Sequence, residues 1–526
     1  MDEPIVLKLF LIGFHHKKGC DINSEYPPEK RDDIDFERLP SLCLPDQSHN
    51  YTSDSVYFVL PNSEDSRKIF GVSCFRQIET EKLTNRTEND GTEFSRSSVQ
   101  KAVCCLSRLS LFGYIEVKLN IIVDKIFEQG NFNCNDILKD SYNELNRCLS
   151  LRVCPRIDES YISSHEDFLN DFYIGICLRE LLTLWKHKIL VLFKLLLLEK
   201  RILFYGSPVK PLCTMILSII SLHPHLLNKG LCDGFESKIT FQKTPEKIEE
   251  AIEEEKNDEI DGGKVQSICL QNINPADYFA PMNIFKNGYL CLPFISLQYI
   301  DIIADKANNG FIAGASNVLF QQKKSLVDIL IDVPTQTIDF INLELKKCAQ
   351  LTTEDLRFFE HVLKGIESPK ADTGIGTNMW IQKQFESYFT SMLRTNYDCE
   401  VTKDLEPFNE YFMEEWKKTN NYQDWLAKKI TYSSSNPEGN SFDTFPRGHP
   451  FTRNNSSINV SDVKNKIVQS INNTPSARKT VTAVTSTFSN AKSTFSTWLS
   501  NLSVKEEIGK DVMDMEERGE NIESVN

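Results

Sequence analysis

The sequence predicts a mixed fold of three lobes, an α+β lobe, an α/β lobe and a helical lobe, followed by a disordered tail. Three observations support this prediction. Strand patterns alternate with polar turns in the first part, strand and helix patterns alternate in the second, and residues 346–430 carry a helical pattern throughout. From Thr431 the composition changes to Ser, Asn, Thr, Gly and Pro, which is typical of a chain that buries too little apolar surface to fold.

Residues 1–170 are predicted to form the α+β lobe. Apolar strand patterns occupy residues 6–14, 56–60 and 69–75, and the polar loop between the last two predicts a β-hairpin. Residues 98–109 carry a further strand pattern, and the chain after Gly113 carries a helical one. A polar insert at residues 79–93 precedes that strand.

Residues 171–345 are predicted to form the α/β lobe. A helix that ends in KLLLLEK passes directly into RILFYG, a buried strand that Gly206 and Pro208 stop. Helices are predicted from Pro211 and from Thr244 with Pro245, and further strands at YLCLPF and DILIDV. Residues 246–261 hold nine acidic and two basic side chains, which is typical of a solvated face or loop.

The helical lobe, residues 346–430, carries one apolar face that is expected to be core rather than a ligand site. Its members are Trp380, Ile381, Phe385, Tyr388, Phe389, Met392 and Leu393. The tail, residues 431–526, contains two amphipathic segments at residues 459–473 and 480–503.

The second amphipathic segment is the predicted membrane-binding site. Twelve of its 24 residues are Ser or Thr and Lys492 is its only charge, so it gains little from folding in water. Such a helix orders against an apolar phase and should sense lipid-packing defects in a curved bilayer. A coiled-coil seam and a mobile tail with an accidental pattern are the alternatives. The side chains expected to enter the membrane are Val481, Val484, Phe488, Phe495, Trp498, Leu499 and Leu502.

Composition excludes several classes of function. The net charge of -15 and the pI near 5.3 argue against nucleic-acid binding. Asp2 and Glu3 stand where a signal peptide carries positive charge, and charged residues interrupt the most apolar stretch, so neither a signal peptide nor a transmembrane helix is expected. Without a signal peptide, the 15 cysteines are expected to be reduced thiols, and because none forms a C-x-x-C pair, no metal site is expected.

Catalytic signatures are absent from the sequence, which contains no P-loop, G-x-G-x-x-G, H-E-x-x-H or G-x-S-x-G pattern. We expect no cofactor. His15, His16, Lys17 and Lys18 follow the first predicted strand and are interpreted as a polar hairpin turn. The functional alternative for these four residues is contact with a phosphate group or an acidic partner.

Several strings of this sequence, taken in order over roughly residues 1–430, resemble one family. They are GFHHKKG, LPSLCLPD, FGVSCFRQI, SVQKAVCCLSRLSLFGY, LLLLEKRILFYGSPV, GASNVLF and FNEYFMEEWKKTNNYQDWL. The family is the Avl-type late-secretory branch of the DENN-domain proteins, and the first and last strings are the most specific to it.

The resemblance implies a longin-like upstream lobe at residues 1–170, a central DENN lobe at 171–345 and a downstream helical DENN lobe at 346–430. It also implies action on Rab-type small GTPases in traffic from the Golgi to the plasma membrane. DENN proteins promote GDP release by gripping the switch regions of the GTPase across the cleft between the first two lobes. Because no covalent bond changes, such a protein needs no acid, base or nucleophile.

Three hypotheses for function follow. The first is a guanine-nucleotide exchange factor, the second a trafficking adaptor that binds a GTPase or a coat without exchange, and the third an enzyme of unrecognised chemistry. The expected location is cytoplasmic and peripheral on Golgi or secretory-vesicle membranes. The sequence leaves open the cognate GTPase, its contact residues, the cargo and the oligomeric state.

Overall fold

Two five-stranded sheets and a set of helices make up the part of the chain that the computed structural model describes. The described residues are 4–15, 19–29, 36–60, 68–80, 98–130, 132, 134–153, 170–231, 278–286, 288–369, 374–399, 402–435 and 441–452. All of them belong to one compact unit, Met1–Thr452. The second unit, Arg453–Asn526, lies outside the described residues, as do both predicted amphipathic segments and the acidic insert at 246–261.

The first sheet is antiparallel throughout, with strand order β2-β1-β5-β4-β3. Its strands are β1 (Val6–His15), β2 (Gly19–Tyr26), β3 (Ser53–Leu60), β4 (Ile69–Glu79) and β5 (Ser98–Ser107). The predicted hairpin is confirmed, because β3 pairs with β4 from Leu60 and Ile69 at its turn. The strand predicted at 98–109 is also confirmed, as β5.

Helices cover both faces of this sheet. They are α1 (Leu39–Cys43), α2 (Phe112–Gln129) and α3 (Asn135–Val153). Ser73 donates its hydroxyl proton to a carbonyl of α1, whereas the next residue, Cys74, contacts a carbonyl of α2. Since successive side chains of a strand point to opposite faces, α1 and α2 lie on opposite faces of the sheet. The helix predicted after Gly113 is therefore present, and Gly130 ends it in the left-handed conformation.

The second sheet is mixed, with strand order β10-β9-β6-β8-β7. Strands β9, β6, β8 and β7 run parallel, and β10 is an antiparallel edge. Strand β6 lies at the centre, and its Ile202, Leu203 and Phe204 are buried, as expected for a strand covered on both faces. The strands are β6 (Arg201–Tyr205), β7 (Tyr289–Leu292), β8 (Gly310–Ala315), β9 (Ile329–Asp332) and β10 (Thr337–Phe340).

The helices of the central lobe alternate with these strands, as the sequence predicts. They are α4 (Leu178–Trp185), α5 (Lys188–Leu197), α6 (Val209–Ser221), α7 (Ile300–Ala304) and α8 (Leu319–Gln322). Helix α6 begins at Val209 and not at the predicted Pro211, because the first lobe satisfies its initial N–H groups. It ends before Pro224, whose ring does not fit a helix interior.

The helical lobe contains α9 (Leu345–Cys348), α10 (Thr353–Glu367), α11 (Asn378–Tyr397), α12 (Glu410–Lys417) and α13 (Asn420–Ser435). The predicted apolar face of α11 is confirmed as core, since every one of its predicted members is buried. Helix α10 starts with a capping box, in which Thr352 and Asp355 satisfy each other's backbone N–H groups.

The packed chain continues beyond position 431, at which the sequence predicts a disordered linker. Helix α13 extends to Ser435, and residues 441–452 lie on the helical lobe with Phe442 and His449 buried. Here a few aromatic side chains outweigh a composition that is otherwise rich in Ser, Asn and Gly.

Candidate functional site

The first two lobes meet along a row of polar contacts, which we call the interlobe junction. It joins the chain after α1 to the carboxyl ends of β6 and β8. The side chain of Asn317 donates to Asp46 at 2.7 Å, and the hydroxyls of Tyr51 and Ser207 lie 3.0 Å apart. Because partners of open α/β sheets bind outside the carboxyl ends of the strands, this edge is the first place to look for a site.

Asp54 of β3 forms the centre of the interlobe junction. Its carboxylate accepts the backbone N–H groups of Val209 at 2.8 Å and Lys210 at 3.0 Å, the first two residues of α6. Pro208, at the N-cap position, offers no side-chain cap, so the first lobe supplies the cap of a central-lobe helix. Burial raises the pKa of Asp54, and the backbone N–H groups that it accepts oppose that shift.

Glu116 of α2 and Lys210 of α6 form the next contact of the row, with Nζ and Oε1 2.7 Å apart. Ser55 and Tyr57 donate their hydroxyl protons to the same carboxylate at 2.7 and 2.5 Å. Burial alone would raise the pKa of Glu116, but the hydrogen bonds from Lys210, Tyr57 and Ser55 lower it below its usual value. The carboxylate is therefore ionised and fully engaged in holding the lobes together.

Exposed apolar side chains follow residues of the interlobe junction along the chain in both lobes. Val318 and Leu319 follow Asn317 and are 47% and 40% exposed. Val117 and Ile121, one helical turn apart on α2 next to Glu116, are 50% and 62% exposed. Together with the half-exposed side chain of Lys210, these four residues are what we call the interlobe face; Val117 and Ile121 belong to the first lobe, and Val318 and Leu319 to the central lobe. Exposed apolar side chains and a cation are typical of noncovalent protein contacts.

Of the candidate residues His15, His16, Lys17 and Lys18, the structure describes only the backbone of His15. Strands β1 and β2 pair from His15 and Gly19, which agrees with a hairpin at this position. Strand β2 is the sheet edge opposite β3, and Sγ of Cys20, the residue after Gly19, lies 3.8 Å from the carbonyl oxygen of Leu44, two residues before Asp46. The side chain of His15 and residues 16–18 are outside the described residues, and their role in partner binding stays a prediction.

The sequence offers no local signal for Asp54, Glu116 or Lys210. The sequence contains only an indirect signal. Three of the strings that carry the family resemblance, at residues 39–46, 195–209 and 314–320, contribute residues to the interlobe junction. They are distant along the chain, and Asp54 itself lies outside all three.

Across the described residues, no group of three or more His, Cys, Asp and Glu side chains is arranged to hold a metal ion. In the same part of the chain, no helix combines the length and hydropathy needed to cross a membrane. The predicted membrane-binding residues 481–502 are outside it.

The fold defines a mixed α/β protein of several lobes, with the candidate site where the first two lobes meet. Residues 6–396 match the family model described as "Transport protein Avl9". The chain belongs to the Avl9 family.

Two curated relatives agree with this family. The chain is 28% identical over 441 residues to "Late secretory pathway protein avl9" of Schizosaccharomyces pombe, an alignment that covers 80% of this chain and 86% of the relative. It is 27% identical over 500 residues to "Late secretory pathway protein AVL9" of Saccharomyces cerevisiae, covering 85% of this chain. The alignment spans only 60% of the length of the second relative.

Proposed function

We propose that this protein acts in vesicle traffic of the late secretory pathway as a DENN-type regulator of a Rab-type GTPase. Membership of the Avl9 family supports the late-secretory role, because both relatives are named for that pathway, whereas the action on a Rab-type GTPase rests on the resemblance to DENN-domain proteins. The regulator promotes exchange of guanine nucleotide. The competing hypothesis is an adaptor that binds the GTPase or a coat without exchange.

The order of the lobes supports a DENN-type module. A five-stranded antiparallel sheet with helices on both faces occupies the place of the longin-like lobe, and a mixed sheet that of the central lobe. Helices α9 to α13 occupy the place of the downstream lobe. To promote nucleotide exchange, a protein needs only to bind the nucleotide-free GTPase more tightly than the GDP-bound form. A site made of apolar side chains and a cation can do this without catalytic groups.

The GTPase binds at the interlobe face. The interlobe face takes residues from both lobes, and its apolar side chains Val117, Ile121, Val318 and Leu319 are 40–62% exposed. The contacts of Asp54 and Glu116 beneath it hold the two lobes in one relative arrangement. A partner that grips both lobes at once therefore meets a preorganised surface.

GDP release from a panel of Rab-type GTPases, with the full-length chain as catalyst, tests the proposal. An exchange factor must lower the affinity of its GTPase for nucleotide, so one GTPase should bind the chain more tightly when nucleotide-free than when GDP-bound. Equal affinity for both forms across the panel favours the adaptor.

Substitutions at the interlobe face test where the GTPase binds. The double variant Ile121→Asp and Val318→Asp should weaken binding by about tenfold or more, because it places charges in an apolar contact. Leu343→Asp is the matched control, since Leu343 is 72% exposed and lies outside the interlobe face. An equal loss in the control, or no loss in the double variant, places the GTPase elsewhere.

Membrane attachment is assigned to residues 480–503, with the protein peripheral on Golgi or secretory-vesicle membranes. Phe488, Phe495 and Trp498 contribute insertion energy, whereas Lys492 contributes little attraction to anionic lipid. Binding should therefore depend on curvature and hardly on salt.

Flotation with liposomes of two diameters tests this attachment. Phe495→Glu with Trp498→Glu removes two large anchors and should release the protein from small liposomes. Ser486→Glu with Ser493→Glu adds the same charge on the hydroxyl face and is the control. Unchanged flotation of the first variant, or binding that ignores curvature but collapses with salt, contradicts the assignment.

A further inference from the structure

Residues 441–452 cross the surface of the helical lobe and contact it mainly through side chains; we call this segment the clasp. Phe442 is fully buried, with its ring 5.9 Å from that of Tyr397 on α11 and 5.3 Å from that of Trp425 on α13. At the other end of the clasp, the ring of Phe451 lies 6.0 Å from that of Phe358 on α10. The clasp therefore touches three helices of the lobe.

Charged and polar contacts fix the clasp between these aromatic anchors. Asp443 pairs with Arg394 at 2.6 Å and with Lys429 at 3.3 Å. Arg447 pairs with Asp404 at 2.6 Å, where both side chains are nearly half exposed. The exposed Arg447 pair adds little stability, whereas the pairs of Asp443 are shielded on the cation side, where Lys429 is 2% and Arg394 16% exposed.

The side chain of His449 extends from the clasp into the core of the helical lobe. The backbone N–H of Phe451 donates to Nδ1 of His449, which leaves the ring proton on Nε2. That nitrogen lies 3.3 Å from Oδ1 of Asp355, and both side chains are fully buried. A neutral imidazole is therefore a donor to a buried carboxylate.

The carboxylate of Asp355 also joins the helical lobe to the central lobe. Lys194 of α5 donates to its Oδ2 at 2.5 Å, and Tyr388 of α11 donates to its Oδ1 at 2.7 Å. Removal of His449 would take a donor from this buried group and open the Lys194–Asp355 pair to water. The clasp thus completes a charged cluster that links α5, α10 and α11.

We propose that the clasp is a releasable intramolecular ligand that controls how firmly the helical lobe packs on the central lobe. Side chains rather than strand pairing hold it, and it leads directly into residues 453–526. A binding event that draws that part of the chain away competes with docking of the clasp. By reciprocity, loosening of the cluster around Asp355 favours that binding event.

Hydrogen exchange of the full-length chain tests the proposal. Phe442→Asp with His449→Ala changes only clasp side chains and should make amides in α5 and the first turn of α10 exchange about tenfold faster. Tyr411→Asp with His49→Ala is the control, because both side chains are exposed and lie outside the clasp. Wild-type exchange in the clasp variant, or equal acceleration in the control, overturns the proposal.

A cleavage experiment keeps the test valid if the clasp variant does not fold. A protease site inserted between residues 435 and 441 is cut after folding, and exchange is compared before and after the C-terminal fragment is removed by gel filtration. Faster exchange in α5 and α10 on removal of the fragment supports the proposal. Unchanged exchange after complete removal of the fragment shows that the clasp does not control the packing of the helical lobe on the central lobe.

Discussion

Lys194 and Asp355 form an ion pair in which both side chains are fully buried. Burial lowers the pKa of Lys194, and the carboxylate opposes that shift. Burial acts to raise the pKa of Asp355, but Lys194 and the hydrogen bond from His449 hold it well below its usual value. Both groups stay charged only because each compensates the other.

Lys194→Met should therefore destabilise the protein by about 3–5 kcal/mol, because it leaves a buried carboxylate without its cation. Adding Asp355→Asn removes that charge while keeping an acceptor for the N–H of Thr352, and should restore much of the loss. Urea unfolding measures both. Lys418→Met, which breaks the exposed pair with Glu415, is the control and should have a far smaller effect. Equal effects of the two Lys substitutions would contradict this account.

His223 is a second buried titratable group, stacked on Phe193 with ring centroids 4.0 Å apart. Neither ring nitrogen has a well-formed hydrogen bond among the described residues, although the backbone of Phe193 faces the ring. Burial lowers the pKa of His223 to about 3. Between pH 6.5 and about 3, His223 is therefore neutral in the folded protein and protonated in the unfolded chain.

The stability contribution of His223 should be complete above the unfolded pKa of 6.5 and fall as pH decreases toward about 3. The slope is about 1.4 kcal/mol per pH unit for this one group. His223→Phe keeps the ring stack and removes the titration, so thermal unfolding of the variant should depend less on pH between 6.5 and 4. His49→Gln, at an exposed position, is the control. Identical pH profiles for wild type and His223→Phe would exclude this mechanism.

At the scale of elements, two helices receive their N-terminal caps from a neighbouring lobe. Asp54 of β3 caps α6, and Glu199, which follows α5, accepts the backbone N–H groups of Asn420 and Asn421 at the start of α13. Each carboxylate meets the positive end of a helix dipole. The lobes are therefore joined through helix termini as well as through apolar packing.

Asp54→Ala should cost about 1–2 kcal/mol, because it leaves two N–H groups of α6 without an acceptor at a buried junction. The loss should appear as a lower urea midpoint. Hydrogen exchange should rise first in the opening turn of α6. Asp124→Ala breaks an exposed pair with Arg76 and should stay within about 0.5 kcal/mol of wild type. If Asp54→Ala also changes the free energy of unfolding by no more than about 0.5 kcal/mol, the cap does not stabilise the contact between the lobes.

At the scale of the whole molecule, the packed unit extends to Thr452 and includes the clasp. Limited proteolysis of the full-length chain should therefore leave a core whose C-terminus lies near Thr452 rather than near Thr431. Mass spectrometry of the resistant fragment gives its end. Rapid cleavage within 441–452 under native conditions would show that the clasp does not stay docked.

The sequence by itself determined many elements of the fold and their order, but it did not predict the strands β2, β8 and β10 or the helices α1 and α3. Period-two patterns predicted the β3–β4 hairpin and β5, and the helical period predicted the buried face of α11. These predictions succeeded because the alternation of apolar and polar side chains is local and follows from backbone geometry. Lys8 does not follow this alternation. It interrupts the apolar run of β1, yet its side chain is fully buried and pairs with Glu25.

Only the tertiary structure decided which charges meet. Asp54 and Val209 are separated by 155 positions, Lys194 and Asp355 by 161, and Asp355 and His449 by 94. No periodicity links such positions, because their contact depends on how whole lobes pack. The same reason explains the extent of the packed chain: composition after Thr431 predicts a linker, whereas a few side chains of the clasp find buried partners in three helices.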